Sequence, residues 1–392
     1  MKIHLSKRDI VAIPFILYGI IAYIAIRTGF ADMQAVTVTY SDGIFYLILD
    51  FLMIGILLSS RFIKHNGVIF CFSFVGLIQI AHLLLSEKEP KSVAFIRHIP
   101  WILIVIALYA LLRQKEEYLY MAKKVFVFVV LFLTALIVYN ELVIRNSVMN
   151  SGINIVYWCE LGLPATYMVY NKRLRMACII MIGIAVLFSL KATALLAFVL
   201  PMLFVYLMQG YIKTGHISIK VILLGMLCFA VYLFLPAIEN IVYDLFGLSW
   251  ATKFENAMDS GGSGRTEIWK SVIDLQSSST VYQWVFGHGF DGVIAFTKRL
   301  SAHNDFLEVL FDYGLVAFIP YLWGVLLLFK HVTALIRKSA QIGIALGINL
   351  IQFVILSSFS HLIIYPWFML SIAFVWAICL AEQDKIAVKN SF

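Results

Sequence analysis

Three short polar stretches of this chain combine residue types used in proton transfer and anion binding. SGRTEIW, Ser263 to Trp269, carries an arginine, and FGHGF, Phe286 to Phe290, carries a histidine between glycines. SAHNDFLEVLFDYGL, Ser301 to Leu315, joins a histidine and an asparagine to three acids. A Gly-Arg or His-Asn pair alone says little. The order of the three stretches around one polar segment is far more specific and predicts a functional site.

The elements that position these stretches are membrane helices. The 392 residues are 62% hydrophobic and 13% charged, with a mean hydropathy of +0.93, whereas soluble domains are about 45–50% apolar and about 25% charged. The apolar runs are long, which excludes a single soluble core and disfavours a β-barrel, whose strands alternate over about ten residues. The five cysteines lie in apolar runs without CxxC spacing, so neither a metal site nor a disulfide framework is indicated.

Hydropathy predicts an all-α integral membrane protein with about 12 transmembrane helices. Residues 1–236 hold the first nine, residues 237–305 form one large polar loop, and residues 306–392 hold the last three and a tail. The predicted spans are 10–26, 44–60, 66–85, 97–112, 122–143, 153–170, 174–190, 192–209, 218–236, 306–329, 341–359 and 362–381.

Basic residues predict the orientation of these spans. The net charge is +8, and most Lys and Arg fall in the short loops on one side, which is therefore the cytoplasmic side. Both termini are then cytoplasmic, and 237–305 is extracytoplasmic. Apolar residues at helical spacing in 264–277 predict an amphipathic helix on the outer membrane surface. Ser263 is a candidate cap, and Arg265 in the first turn makes the helix start a candidate anion site.

Charged residues within spans are costly and are functional candidates by default. The predicted orientation places them all in the outer half, which suggests a polar cavity open to the outside and closed to the cytoplasm. The alternatives are structural partners inside the bundle, a snorkelling lysine at position 191, and a turn role for His288. The candidates are Asp50, Glu160, Lys191, Glu308 and Asp312, with Arg97 and His303 at the outer ends of spans.

The motifs GRxxIW, FGxGF and HNxxL, with a glycine further along, resemble the O-antigen ligase and O-antigen polymerase superfamily of bacterial envelope glycan assembly. The resemblance covers about residues 189–315. That family also tends to carry a Ser-Arg pair upstream of its loop. Here Ser189 to Thr193 holds that place, with Lys191 for arginine and one residue inserted, so a point charge replaces a bidentate fork.

The resemblance implies an inverting, metal-independent glycosyltransferase that needs no cofactor. Its donor is a glycan on undecaprenyl pyrophosphate, and its acceptor is a hydroxyl of a second lipid-linked glycan. His303 is the implied catalytic base, since histidine has a pKa near 6.5. The pyrophosphate leaving group needs fixed positive charge more than a proton. The implied substrate-binding residues are Arg265, Lys191, Arg97, Asn304, Glu308 and Glu160.

A surface-polysaccharide polymerase is the first functional hypothesis, because nothing in the sequence indicates a lipid A-core acceptor. An O-antigen ligase shares the motifs and stays open. A flippase for lipid-linked glycans is the rival from another class, and the one-sided charges argue against it. The expected partners are the lipid-linked donor and acceptor, membrane lipids and a chain-length regulator, without nucleic acid. The expected location is the bacterial inner membrane, with the active site on its periplasmic face.

Overall fold

The computed structural model describes most of the chain in helical segments. All regular secondary structure in these residues is helical, in agreement with the predicted all-α class. The described residues are 7–27, 40–60, 66–86, 98–139, 156–169, 171–189, 191–214, 265–297, 301–360, 362–363 and 366–389.

Most predicted spans correspond to a described helix, whereas span 218–236 lies outside the described residues. The helices are α1 (Lys7–Arg27), α2 (Tyr40–Ser59), α3 (Gly67–Leu85), α4 (His98–Leu112, with a π-helical stretch at Ile104–Leu108), α5 (Glu116–Tyr139), α6 (Val156–Glu160), α7 (Leu163–Tyr167), α8 (Lys172–Ser189), α9 (Ala192–Thr214), α10 (Arg265–Ser277), α11 (Val281–Phe286), α12 (Gly292–Thr297), α13 (Asp305–Lys338), α14 (Ala340–Phe359) and α15 (Pro366–Lys389).

Several helices are long and apolar enough to cross a membrane, which supports the predicted multi-pass membrane protein. Within the described residues, five helices meet both criteria, and three shorter apolar helices accompany them. The span count and the side of the polar loop remain predictions. The five are Gly67–Leu85, Glu116–Tyr139, Thr193–Ile212, Asp305–Lys338 and Ala340–Phe359; the three are Ile10–Ile26, Gly43–Ser59 and His98–Leu112.

Helix α15 lies at the centre of the bundle. Every residue from Phe368 to Ala381 is at most 2% exposed, as expected for a helix that is apolar on all sides. It packs against α14, α5 and the π-helical stretch of α4. Aromatic rings fill these contacts; Phe374, for example, lies 4.5 Å from Phe15 between ring centroids. The interior is therefore a packed core that fixes the surrounding helices.

The predicted span 153–170 is broken into α6 and α7. Pro164 has no N–H for the carbonyl four residues before it, so the carbonyl of Glu160 loses its helical partner. The side chain of Gln352 in α14 replaces that donor, with Nε2 2.9 Å from the Glu160 carbonyl oxygen. The same Nε2 lies 3.4 Å from the carbonyl of Ala197, four residues before Pro201 in α9. One glutamine thus serves two carbonyls that prolines leave unpaired.

Helix α13 is kinked near its start. Gly314 has φ +69 and ψ −172 inside the otherwise helical run. Such a conformation is rare for residues with a Cβ, and it separates Asp305–Tyr313 from the long apolar remainder. The sequence predicted one continuous span over 306–329, which includes Gly314. The structure instead kinks the helix here and places the backbone of Val285 and Gly287 against this glycine.

Candidate functional site

Helices α10, α11 and α12 dock on the first segment of α13. The predicted helix 264–277 is confirmed as α10, Arg265–Ser277. Its apolar face, predicted to lie on the membrane surface, packs largely against the protein, because Ile268 and Val272 enter a small second core. Ile273 remains exposed. The buried members of this core are Ile268, Val272, Val293, Ala302 and Phe311.

The FGHGF stretch is shaped to fit the kink in α13. Gly287 has φ +79 and Gly289 has φ +106. The N–H of Gly289 donates to the Asp312 carbonyl at 2.9 Å. A Cβ on Gly287 would collide with that carbonyl, and one on Gly314 would collide with the Val285 carbonyl and the Gly287 amide. These glycines therefore permit a close approach of two backbones.

His288, the histidine of this stretch, is held inside the loop. Its ring stacks on Phe311 with centroids 4.0 Å apart, and its Nε2 lies 2.8 Å from the Ser279 hydroxyl. Burial lowers the pKa of His288 below its ordinary value. Both contacts are internal to the loop and its docking helix, which agrees with the structural alternative for this residue.

His303 lies in the short segment between the loop and α13, in a strained conformation. Its φ is +53, in the left-handed region that costs an L-residue about 1–2 kcal/mol. The segment is fixed on both sides. The indole Nε1 of Trp269 donates to the Ala302 carbonyl at 2.7 Å, and Asn304 Oδ1 accepts from the Leu307 N–H at 3.1 Å as the N-cap of α13. The backbone therefore presents His303 in one defined position.

Two cations lie beside this histidine. Lys191 is between α8 and α9, with Nζ 4.4 Å from the centre of the Tyr157 ring, and Arg265 is the first residue of α10. Burial, then the Arg265 cation, lowers the pKa of Lys191 to about 7, while Glu160 opposes the shift. Burial also lowers the pKa of Arg265, which nevertheless stays protonated at neutral pH. The site is therefore electropositive, and its lysine charge is sensitive to pH.

The imidazole of His303 responds to this environment. Burial, and then the positive charges of Arg265 and Lys191, lower the pKa of His303 to about 4. At neutral pH the ring is therefore uncharged and has a nitrogen lone pair available for a proton. An anion placed between the cations and the ring would reverse part of this shift, because it screens the positive charges.

Two buried glutamates border the cluster. Glu160 is 0% exposed at the end of α6 and is attracted by Lys191. Glu308 is 1% exposed and lies close to Ser301 and Ala302. Within the described part of the chain, neither carboxylate has a hydrogen bond of good geometry. Unsatisfied buried acceptors are costly, so these oxygens are suited to receive donors from a bound molecule.

The other two acids of the opening stretch have structural roles that the sequence did not reveal. Asp305 accepts from the Ser357 hydroxyl at 2.8 Å and from the N–H of Leu362 at 3.0 Å, so it anchors the connection between α14 and α15. Asp312 Oδ1 accepts from the Val293 N–H at 2.8 Å and caps the start of α12. Their partners are 52, 57 and 19 residues away, which no local pattern predicts.

The structure brings together five of the predicted site residues and leaves others untested. Arg97 lies outside the described residues, although its neighbour His98 contacts Phe290 of the loop, with ring centroids 5.5 Å apart. Ser263, the predicted cap of α10, also lies outside them. Asp50 is buried in α2 without a described link to the cluster. The residues that converge are Glu160, Lys191, Arg265 and His303, and Glu308 lies close to Ser301 and Ala302, which directly precede His303.

Comparison with known proteins adds one finding. Residues 176–322 match the model of a protein family described as O-antigen ligase. The matched region begins in α8 and ends in α13, so it includes Lys191, the polar loop and His303. The comparison with curated proteins found no match.

Proposed function

We propose that this chain, in which residues 176–322 match the model of a family described as O-antigen ligase, is a membrane glycosyltransferase that uses a lipid-diphosphate-linked glycan as donor. The donor is a glycan on undecaprenyl pyrophosphate, and the acceptor is a sugar hydroxyl of another lipid-linked glycan. The reaction takes place at the predicted periplasmic end of the bundle. This end is where the described helices meet the polar loop.

The observation that carries the proposal is an uncharged histidine flanked by two cations. Lys191 and Arg265 come from separate parts of the chain, yet both lower the pKa of His303. A transferase of this kind must stabilise a diphosphate leaving group and accept one proton from the acceptor hydroxyl. Fixed cations serve the first need and a neutral imidazole serves the second. The cluster therefore contains both functional groups in one place.

The reaction that we propose is a single displacement. The acceptor oxygen attacks the anomeric carbon of the donor sugar, and the bond from that carbon to the diphosphate oxygen breaks. Undecaprenyl pyrophosphate leaves with the electron pair, next to Lys191 and Arg265. His303 takes the proton of the acceptor hydroxyl. One displacement inverts the anomeric configuration, and no step requires a metal ion.

In this scheme, donor binding also raises the basicity of His303. The diphosphate neutralises part of the charge of Lys191 and Arg265, so the pKa of His303 rises toward its ordinary value when the donor is bound. The imidazole becomes a stronger base only then. Donor binding before proton transfer is thus favoured by electrostatics, and the acceptor hydroxyl keeps its proton when the diphosphate is absent.

The remaining polar groups bind sugar hydroxyls. Glu160 offers carboxylate oxygens with no described hydrogen-bond partner, and Glu308 lies close to Ser301 and Ala302. Sugar hydroxyl groups are the proposed donors to both carboxylates. Asn304 uses Oδ1 to cap α13, so its amide nitrogen is the atom proposed to contact sugar. Arg97, which precedes α4 in the sequence, remains a proposed third cation.

Polymerisation is the preferred reaction, as the sequence suggested no lipid A-core acceptor. Ligation is the second candidate, since the matching family model is described as O-antigen ligase. Both reactions use the same donor chemistry and differ in the acceptor. A flippase is disfavoured, because the cluster lies at one end of the bundle and no described line of charges continues through it.

A His303→Ala variant tests the proposed base. In cells that depend on this protein, we expect loss of polymerised surface glycan with normal membrane levels of the variant. Single repeat units still attached to the lipid core would identify a polymerase. Long lipid-linked chains that accumulate without attachment would identify a ligase. A normal ladder of chain lengths would overturn the proposed role of His303.

His288→Ala is the matched control. Both side chains are histidines near the same loop, but His288 is enclosed by Ser279 and Phe311. Its loss should lower the thermal stability of the loop and leave measurable transfer in the folded fraction. Equal loss of transfer in both variants at equal stability would mean that loop integrity, and not the His303 imidazole, limits the reaction.

A further inference from the structure

Helix α11 turns an apolar face away from the protein. Val281 is 81% exposed and Tyr282 is 70% exposed. Phe286, one helical turn after Tyr282, is 46% exposed, and the two rings lie 5.0 Å apart between centroids. Ile273 of α10 is 55% exposed, and with Trp284 it lines a small apolar groove between α10, α11 and α13. Single exposed apolar residues are ordinary, whereas a patch of them marks an interaction surface.

The sequence around this patch is uncharged and aromatic. Residues 276–290, QSSSTVYQWVFGHGF, contain no Asp, Glu, Lys or Arg, and they include a tyrosine, a tryptophan and two phenylalanines. Tyrosine and tryptophan are enriched where a protein meets the headgroup region of a membrane. The exposed side of α10 differs, because it carries Glu267, Lys270 and Asp274. Within the polar loop, α11 is therefore the element whose composition suits a lipid surface.

The position of α11 also favours lipid as the occupant of this patch. The backbone of Val285 and Gly287 lies against Gly314, where the long apolar part of α13 begins. Ile319 is five residues further on, about 7.5 Å along the helix. An interfacial helix buries its apolar face about 5–10 Å into the boundary between headgroups and acyl chains, so α11 lies at the level where the lipid-facing surface of α13 starts. The large apolar side chains that this part of α13 exposes are Ile319, Leu322, Trp323, Leu326 and Phe329.

The backbone groups at both ends of α11 are paired within the chain. The N–H of Thr280 donates to Gln283 Oε1 at 2.9 Å, and Thr280 Oγ1 accepts from the N–H of Gln283 at 3.3 Å. At the other end, the N–H of Gly287 donates to the Gln283 carbonyl at 2.8 Å. Unpaired backbone groups are costly away from water. This short helix can therefore enter the interface without leaving these groups unsatisfied.

We propose that α11 is an interfacial lipid-binding helix that inserts Val281, Tyr282 and Phe286 among the phospholipids of the outer leaflet. The membrane contact predicted for α10 is thus assigned to α11. Insertion would hold the loop between the membrane and the bundle, and the same loop carries Trp269, whose indole donates to the carbonyl of the residue before His303. The proposal goes beyond glycan transfer and does not depend on which reaction the site carries out.

The test measures the membrane depth of single fluorescent labels on the full-length chain in nanodiscs of phosphatidylethanolamine and phosphatidylglycerol. An NBD label on Val281→Cys should be quenched by lipid with a doxyl group near the top of its acyl chain. It should be protected from aqueous iodide, and its emission should shift to the blue. Ser271→Cys, on the polar exposed side of α10, is the matched control and should show the reverse. The unmodified chain gives the labelling background, and its cysteines within the described residues are buried.

A second pair of variants separates lost insertion from lost folding. Val281→Asp places an acid in the first turn of α11, which is favourable in water and unfavourable in lipid. A label on Tyr282→Cys should therefore lose lipid quenching and gain iodide quenching in the Val281→Asp background. Val281→Leu should retain the lipid quenching, and the variants are compared at equal Tm.

Two results would overturn the proposal. The first is a label at residue 281 that is as open to iodide as the label at residue 271. The second is protection of residue 281 from both quenchers, because the patch would then be covered by protein, either a second copy or a partner. Neither readout involves glycan transfer, so failure of this membrane contact would not be confused with failure of the proposed enzyme.

Discussion

Replacing Lys191 by arginine should move the alkaline limit of donor use. The pKa of Lys191 is lowered to about 7, so its cation is present below pH 7 and is lost above it. The charged fraction falls from about nine tenths at pH 6 to about one tenth at pH 8. If the donor diphosphate requires this charge, kcat/KM should fall about tenfold over that interval. An arginine stays protonated throughout, so the variant should show no such fall.

The assay measures initial rates with the lipid-linked donor in lipid nanodiscs from pH 5.5 to pH 9. The donor ionises in the same way in both measurements. The ratio of kcat/KM of the variant to that of the unmodified protein therefore reports only the ionisation of residue 191. At pH 8 the ratio should be about ten times its value at pH 6, which corresponds to about 1.4 kcal/mol. Lys191→Met supplies the second control, with slow transfer at every pH and little alkaline dependence.

Parallel pH profiles for the unmodified protein and Lys191→Arg would refute the argument. They would mean that the cation of Lys191 does not contact the diphosphate or that its pKa is not depressed. A further check comes from Glu160→Gln. The Glu160 charge raises the pKa of Lys191 against the effects of burial and Arg265, so its removal should move the alkaline limit to lower pH.

Three other perturbations test the geometry around His303. Arg265→Gln removes a cation that lowers the pKa of His303. The acid limb of kcat/KM should therefore move from near pH 4 to higher pH when the same assay is extended below pH 4. Trp269→Phe removes the 2.7 Å indole hydrogen bond to the residue before His303. The unpaired carbonyl costs about 1–3 kcal/mol, and transfer should slow about tenfold or more while the protein stays folded; an unchanged rate would deny the positioning role. Gly314→Ala places a Cβ against the docked loop at φ +69, which costs at least about 1–2 kcal/mol, so the Tm should fall. Gly55→Ala is the control and should leave the Tm unchanged, because no atom lies within 4 Å of the added Cβ.

Hydropathy was sufficient to predict the helical class, and periodicity predicted α10. Both signals are local and depend on the side chains of one segment. The break between α6 and α7 was missed because the run around Glu160 is apolar enough for one span. The LGLP sequence, with Pro164 two residues after Gly162, was the available signal. The sequence around Pro164 does not show that the unpaired Glu160 carbonyl is compensated by Gln352, almost two hundred residues later.

The sequence predicted which residues could form the candidate site. It did not predict which of the nearby acids have a structural role instead. Charge inside apolar runs identified Glu160 and Lys191, and motif order identified Arg265 and His303. Asp305 belongs to the same polar stretch and was indistinguishable from its neighbours by sequence. Its carboxylate instead accepts hydrogen bonds from the connection between α14 and α15. Only the tertiary packing brings backbone donors to this acid and not to its neighbours.

Gln352 also has a consequence for how this sequence can change. Its side-chain nitrogen is needed because Pro164 and Pro201 each leave a carbonyl unpaired. The three positions are therefore epistatic: a glutamine-to-leucine change is costly while either proline is present and nearly neutral once both are alanine. Loss of the glutamine is therefore expected to follow loss of both prolines in any mutational path that keeps the fold.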